Sequence, residues 1–315
     1  MNREKIPIKK IFLRDERFRI SYYFPLHKLK LSLKRIGLIN PPLVTTRDGR
    51  LVLVSGWRRV LACRELSFPS IPVYFVEDGD ELQTFLLAFY ENLSTREFSL
   101  LEKAEILTRL KKFGEDEKTI IRHYLPLLDI PSNIFHFETY LTFAQFETDV
   151  KKAIYEKNMN YTSVQLLTEC TPQERVSLLP LIMPLGQNKT KELLEDILEI
   201  SKRDSIPVRE ILSRKELADI WKSGNLSLLQ KADKIRVLLR RRRYPKLFSW
   251  KDSFDSLLTR MKWPEEIMIK PCLFFEEEDL TVSFTFKDKE GFRNSLHKLN
   301  ELLTKKEFSK LFQLE

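Results

Sequence analysis

The feature that most constrains the fold is an abrupt change of pattern at Ser55-Gly56. An apolar run of strand type, residues 51–54, ends there, and a helical pattern begins at once with Trp57. A strand that leads through glycine into a helix indicates an α/β unit. The first N–H groups of such a helix have no partner within it, so the junction can receive an anion. Arg58 and Arg59 add planar donors suited to phosphate; the alternative is a surface loop with two solvated arginines.

Strand and helix patterns alternate over residues 1–96. The segments 6–13, 41–56 and 70–78 are typical of strands, and Asp48-Gly49 predicts a hairpin turn in the second of them. A helix is expected to end at Gly37, and another is expected to begin near Asp78 or Asp80. This region therefore predicts an α/β domain.

Residues 97–228 are helical in pattern throughout. Ser99 with Glu102 forms a predicted capping box, and Thr171-Pro172 with Glu174 is a second strong helix start. The last segment, 229–315, begins with a basic helix and continues with two strand patterns joined by the acidic turn Glu276–Asp279, then a helix. We therefore predict an α+β protein with an α/β first domain, an all-α middle domain and a small α+β C-terminal domain.

Composition narrows the function classes. The chain of 315 residues has a formal net charge of +9, which favours an anionic partner such as nucleic acid. Three distant cysteines and four scattered histidines predict neither a disulfide framework nor a metal site of their own. No apolar run reaches the roughly 20 residues that span a bilayer, so a cytoplasmic protein without a membrane partner is expected.

The order of these elements resembles the ParB family of partition proteins. That family carries a Gly-Glu-Arg-Arg box and a later Glu-Asn-Leu-Gln-Arg box, which appear here as Gly56-Trp57-Arg58-Arg59 and Glu91-Asn92-Leu93-Ser94-Thr95. The segment "LKLSLKRIGLINPPLV" before the first box and "FSLLEKAEILTRLKKFG" after the second are similar too. The likeness covers roughly residues 5–170.

The resemblance implies a ParB/sulfiredoxin-like first domain that binds CTP and a helix-turn-helix domain that binds DNA. Carried over by position, Gly56, Arg58 and Arg59 would face the triphosphate, Asn92 would fix the phosphates, and Glu91 would help to hold magnesium. It further implies a homodimer, a partition ATPase as a partner, and a place at the nucleoid.

The boxes depart from the family pattern. Trp57 replaces the glutamate of the first box, while Ser94 and Thr95 replace the glutamine and arginine of the second, with the next arginine one place late at Arg96. The family's glutamine-containing N-terminal segment is replaced by "RDERFR", with Arg17 near the glutamine's place. CTP hydrolysis is therefore not expected, and CTP binding stays open.

The helix-turn-helix candidate spans residues 115–146. Its first helix is expected to end near Leu125, before Pro126, and its second to be capped by Ser132. The residues predicted to read DNA are Ser132, Asn133, His136 and Thr139. Residues 134, 135, 137, 140 and 141 are expected to form the packing side. A plain helical bundle is the alternative.

A block of four consecutive arginines would supply the charge that this helix lacks. Arg240, Arg241, Arg242 and Arg243 are predicted to contact phosphates. The alternative is a helix face that pairs with acidic residues elsewhere in the chain.

Three functions remain open at this stage. The first is a ParB-like DNA-binding protein of chromosome or plasmid partition, gated by CTP with magnesium. The second is a small-molecule kinase on the same fold, with Glu91 or Glu97 as base; sulfiredoxin chemistry is disfavoured because Cys63 lies too far along its helix. The third is a protein-interaction module whose nucleotide pocket has decayed, with Trp57 filling it.

Overall fold

The computed structural model describes residues 2–21, 25–77, 79–271 and 279–312. The chain forms two compact units, Met1–Lys191 and Glu192–Glu315, and the boundary falls within one long helix. The three-part division into 1–96, 97–228 and 229–315 remains a prediction.

A four-stranded sheet begins the first unit. Its strands are β1 (Asn2–Pro7), β2 (Leu43–Arg47), β3 (Arg50–Ser55) and β4 (Ser70–Phe75), in the order β1-β4-β2-β3. β2 pairs with β3 in antiparallel register and with β4 in parallel register. Asp48 and Gly49 both have positive φ, which is the geometry of a type I′ turn and confirms the predicted hairpin.

Three helices complete the α/β part: α1 (His27–Ile36), α2 (Trp57–Glu65) and α3 (Glu81–Leu93). Gly37 ends α1 with φ +74°, and Asp80 caps α3 by accepting a hydrogen bond from the Gln83 N–H, both as predicted. In the hydrophobic core of this part, strand residues such as Val44 and Leu53 pack with Val60 of α2. The first strand was predicted too late in the chain, because Ile8–Lys10 form a 3₁₀ turn.

The following segment is helical, as predicted. It contains α4 (Leu100–Lys112), α5 (Glu117–Thr119), α6 (Leu125–Leu127), α7 (Ile134–Ala144), α8 (Thr148–Glu156), α9 (Tyr161–Leu166), α10 (Pro172–Ile182) and α11 (Gln187–Asp204). The capping boxes Ser99/Glu102 and Thr171/Glu174 are both present. Each satisfies two otherwise unpaired backbone donors at a helix start.

Two boundaries of the helix-turn-helix candidate were wrong. Ile120–Tyr124 form a π turn between α5 and α6, so the first helix passes Pro126 and ends at Leu127. Proline removes a backbone donor, and a π turn is one way for a helix to accommodate the change. The N-cap of α7 is Asn133, not Ser132, because the Asn133 Oδ1 accepts the His136 N–H at 2.9 Å.

The second unit contains α12 (Val208–Ser213), α13 (Lys215–Lys222), α14 (Leu228–Arg243), α15 (Pro245–Met261), α16 (Lys289–Leu303) and α17 (Lys306–Lys310). β5 (Ile267–Pro271) and β6 (Leu280–Phe284) pair in antiparallel register, which confirms the two predicted strands. Phe254, Leu257 and Met261 of α15 pack with Leu302 and Leu311. Of the predicted acidic turn, residues 276–278 lie outside the described residues.

One ion pair links α10 to the start of α8. Arg175 donates to Glu147 through two bonds, Nε–Oε2 at 2.9 Å and Nη2–Oε1 at 2.8 Å, and its Nη1 also donates to the Cys170 carbonyl at 2.6 Å. The side chain of Arg175 is 10% exposed. The hydrogen bonds from Arg175 hold the pKa of Glu147 below its ordinary value. Two bonds in fork geometry to a buried guanidinium make this pair structural.

We predict that Glu147→Gln lowers the free energy of unfolding at neutral pH by about 2 kcal/mol, less than the loss of a fully buried pair. The pair stabilises fully above the ordinary carboxyl pKa of 4.5, and its contribution is lost as the pH falls through the lower pKa of the folded state. Urea unfolding at about pH 7 and about pH 3 should therefore show a difference that shrinks in acid. Glu156→Gln, whose pair with Lys152 is exposed, is the control and should change little.

Candidate functional site: a cavity between two family boxes

Gly56 sets the geometry where β3 passes into α2. It has φ +95° and is the N-cap of α2, with no side-chain hydrogen bond at that cap. A Cβ at this position would lie 2.7 Å from the Pro42 Cβ, so glycine is required both by conformation and by space. The first N–H groups of α2 are left without a capping side chain and are available to an anion.

The second arginine of the first box, Arg59, meets the glutamate of the second box. Arg59 Nη2 donates to Glu91 Oε1 at 2.7 Å, and Arg59 Nη1 donates to the Asn40 carbonyl at 3.0 Å. Ser55, the last residue of β3, donates through its hydroxyl to Glu91 Oε2. The end of β3, the start of α2 and the end of α3 therefore meet at one carboxylate.

Asn92 and Arg96 extend this network towards α4. Asn92 Nδ2 donates to the Ala88 carbonyl at 2.8 Å, which leaves its Oδ1 to accept from Arg96 Nε at 3.2 Å. Arg96 Nη1 donates to Glu102 Oε2 at 2.9 Å. Since Glu102 belongs to the capping box of α4, hydrogen bonds connect the second box directly to the start of the helical segment.

These residues surround one cavity of about 300 Å³. All five residues predicted to bind nucleotide line it: Gly56, Arg58, Arg59, Glu91 and Asn92. This volume is at the lower end of the range for ligand pockets, roughly 300–1,000 Å³. The structure therefore brings the predicted nucleotide-site residues together.

Trp57 does not fill this cavity. It lines the cavity wall, but its side chain is buried in the hydrophobic core cluster and is 5% exposed, with the guanidinium of Arg19 5.3 Å from the ring centroid. Cys63 of the same helix is fully buried, and burial raises the pKa of its thiol to about 11. A thiol held protonated in the core cannot serve as a nucleophile, which agrees with the case against sulfiredoxin chemistry.

Known proteins that are similar to this chain in sequence include nucleoid occlusion proteins and a chromosome-partitioning protein. The nucleoid occlusion protein of Bacillus subtilis (strain 168) is 26% identical over 230 residues, which cover 67% of this chain and 74% of that protein. The chromosome-partitioning protein ParB of Myxococcus xanthus (strain DK1622) is 29% identical over 144 residues, which cover 41% of this chain and 48% of that protein. No protein-family model matches.

The chain is similar in sequence to nucleoid occlusion and ParB proteins. Among solved structures, a C-terminally truncated ParB of Caulobacter crescentus complexed to the centromeric parS site is similar at 16% identity and a TM-score of 0.34, covering 61% of this chain and 98% of that one. A structural likeness of that extent carries no weight, so the similarity rests on the sequence relatives.

Arg96 and Ser55 line the cavity but were not assigned to the site from sequence. Arg96 stands one place after the position of the family's arginine. The chain continues in a helical turn past α3, where the Arg96 N–H donates to the Asn92 carbonyl at 3.1 Å, and this turn brings the side chain back to the cavity. The sequence did contain a signal for Arg96, namely an arginine one position after the place of the family's arginine. Ser55 had no signal beyond its place at the strand end.

The four residues predicted to read DNA are not equally placed. Ser132 and Asn133 are exposed, while His136 is half-buried, with its ring stacked on Tyr161 at 5.6 Å. Thr139 is only 9% exposed, and its hydroxyl donates to the Phe135 carbonyl. The structure therefore brings Ser132 and Asn133 to the surface and places Thr139 within the core.

The packing side of α7 was predicted only in part. Phe137 and Tyr140 are buried as expected, but Ile134 and Phe135 are 46% and 55% exposed. Both lie in the first turn of α7, beside the exposed Asn133, where no neighbouring helix covers them within the described residues. The interpretation of these two as core residues was wrong.

Each of the four consecutive arginines at the end of α14 is held in an ion pair. Arg240 pairs with Glu192 at 3.0 Å, Arg241 with Asp252 at 2.9 Å, Arg242 with Asp204 at 2.5 Å and Arg243 with Asp196 at 2.9 Å. This is the arrangement that the alternative interpretation predicted. Their contact with phosphates remains a prediction.

Asp196 makes the Arg243 pair different from the others. Its side chain is 1% exposed, and burial raises its pKa although Arg243 opposes that effect. An ionised carboxylate in this position depends on its partner, because a buried charge without one is strongly destabilising. Arg243 therefore has a structural role in joining α14 to α11.

We predict that Arg243→Ala lowers the free energy of unfolding by about 3 kcal/mol. Arg241→Ala removes the same charge from the same helix, but its pair is more than half exposed, so a change within about 0.5 kcal/mol is expected. Urea unfolding of the two variants measures the difference. Equal stability of the two variants would contradict a structural role for Arg243.

Within the described part of the chain, no group of three or more His, Cys, Asp or Glu side chains is arranged to hold a metal ion. Among the same residues, no helix is both long and apolar enough to cross a membrane.

Proposed function

We propose that this chain is a ParB-like DNA-binding protein of the chromosome or plasmid partition class, and that CTP binding in the cavity gates its contact with DNA. The observation that carries the proposal is the convergence of Arg58, Arg59, Glu91 and Asn92 on one cavity at the N-terminus of α2. The sequence relatives are named for nucleoid occlusion and for chromosome partitioning, which supports the class.

The cavity has the chemistry of a polyphosphate site. Free N–H groups at a helix start, together with the positive end of the helix dipole, favour an anion at Gly56. Arginine forks neutralise phosphate charge and fix its orientation. Val54 and Leu29 add apolar lining where a base or ribose would be sheltered from water.

Gating would act through Arg96. A phosphate that accepts a hydrogen bond from Arg96 competes with Asn92 Oδ1, which accepts from Arg96 Nε. Arg96 also holds Glu102, and Glu102 Oε2 accepts the Ser99 N–H at 2.9 Å in the capping box of α4. A change at the cavity can thus reach the first turn of the helical segment through side chains already in contact.

The proposed DNA contact is the start of α7. Asn133 is exposed at the N-cap, the part of a recognition helix that reaches base edges. Arg122 and Lys118 are exposed on the preceding segment and would contact phosphates. The arginines at the end of α14 remain candidate phosphate contacts, and a phosphate there would compete with the carboxylates that already pair with them.

The remaining partners follow from the same proposal. A DNA-binding protein of this class is expected at the nucleoid, as a homodimer, with a partition ATPase as its second protein partner. The net charge of +9 supports an anionic partner.

The two alternative functions have less support. A kinase would need a carboxylate that can accept a proton, but Glu91 is held by Arg59 and Ser55, and Glu97 does not line the cavity. A module with a decayed pocket would have Trp57 filling the cavity, whereas Trp57 forms part of its wall and of the core, and about 300 Å³ stays open. Both observations favour a binding site that has kept its space.

We predict that calorimetric titration detects CTP binding and that Arg58→Ala weakens it at least about tenfold, since charge-assisted hydrogen bonds to phosphate are lost. Titrations with ATP and GTP measure selectivity. Phosphate release from CTP should stay at the rate without protein, because the family's glutamine is replaced.

The control is Arg64→Ala. Arg64 lies on the same helix, is exposed and does not line the cavity, so the same charge is removed elsewhere. Equal weakening in both variants would mean that only the net charge matters, which contradicts a phosphate site at Arg58.

We predict that Asn133→Asp weakens binding to mixed-sequence duplex DNA several-fold, because aspartate keeps the N-cap but replaces an amide donor by a negative charge next to phosphates. Fluorescence anisotropy over a series of salt concentrations measures the affinity and its salt dependence.

Asn160→Asp is the matched control. Asn160 caps α9 in the same way, with its Oδ1 accepting the Ser163 N–H at 2.9 Å. It should bind DNA like the unaltered protein. Absence of DNA binding by the unaltered protein even at low salt would remove the proposed DNA function.

A further inference from the structure

The charges that line the cavity are mainly positive. Three of the described lining residues are arginines, Arg58, Arg59 and Arg96, and Glu91 is the one carboxylate among them, which gives the lining a net charge of +2. Glu102 pairs with Arg96 from outside the lining and lowers the local charge further. A magnesium site needs the opposite balance, with several oxygen ligands and little positive charge nearby.

The oxygen atoms that could bind a metal already accept hydrogen bonds. Glu91 Oε1 accepts from Arg59 at 2.7 Å, and Glu91 Oε2 accepts from the Ser55 hydroxyl and from Asn92 Nδ2 at 3.3 Å. Asn92 Oδ1 accepts from Arg96 Nε at 3.2 Å. Each of these oxygens faces a donor, so the residues present do not fit a magnesium ion held by the protein.

We infer that the cavity binds the polyphosphate as the metal-free anion, and that Glu91 positions Arg59 instead of binding magnesium. This inference rests on the proposed nucleotide site and specifies the form of its ligand. Arg59 is held at the N-terminus of α2 by the hydrogen bonds that it donates to Glu91 and to the Asn40 carbonyl. The guanidinium groups of Arg58, Arg59 and Arg96 then neutralise the phosphate charge, as a bound divalent cation would do in a metal-dependent site.

The charge of the ligand makes the inference testable. Free CTP carries roughly four negative charges near neutral pH, and its magnesium complex carries roughly two. A lining that is positive overall attracts the free anion more strongly than the complex. Removing magnesium should therefore leave binding intact or strengthen it.

The experiment is calorimetric titration of the full chain with CTP in magnesium and in EDTA. We expect dissociation constants that agree within about threefold, or tighter binding in EDTA. Inorganic tripolyphosphate, a probe without a base, should compete in EDTA. Binding that weakens more than about tenfold in EDTA overturns the inference and leaves the nucleotide site standing. No binding in either buffer overturns both.

Glu91→Gln separates the two roles of Glu91. Glutamine keeps an oxygen that can accept from Arg59 but removes the negative charge that repels phosphate, so affinity for CTP should rise, by up to about tenfold, in EDTA and in magnesium alike. A metal ligand would instead lose affinity specifically in magnesium, and that result would overturn the inference. Glu97→Gln, an exposed charge change outside the lining, is the control and should leave the affinity unchanged.

Discussion

The ion pair between Arg59 and Glu91 is the contact on which the cavity depends. It joins the start of α2 to the end of α3 through two residues that are 32 positions apart in the chain. Ser55, the last residue of β3, donates to the same carboxylate. A partly exposed pair contributes little to stability, so its importance is the position that it gives to the guanidinium.

Several arginines of this protein connect one helix to another through ion pairs. Arg175 joins α10 to the start of α8, Arg243 joins α14 to α11, and Arg96 joins the end of α3 to the first turn of α4. The fork geometry allows Arg175 to bind its carboxylate with two hydrogen bonds, and allows Arg96 to bind a carboxylate together with a second acceptor. A high count of basic residues therefore overstates the charge that is available to a nucleic acid.

Local signals predicted most of the fold. The Asp48-Gly49 turn, the cap at Asp80 and the capping box at Ser99 each involve residues within a few positions of one another, so the sequence alone determines them. The co-location of the boxes was predictable only through the family resemblance. Burial of Thr139, exposure of Phe135 and the acidic partners of α14 depend on residues distant in the chain, and no short pattern encodes them.

The backbone of Gly56 has a consequence for recognising distant relatives. Its positive φ and the nearness of Pro42 exclude any side chain there, whereas the next position is occupied by an indole that points into the core. A chain with this architecture can thus accept other residues at the second position of the box, here Trp57, whereas the first position requires glycine for steric reasons. Searches that score the two positions equally will overlook such divergent members.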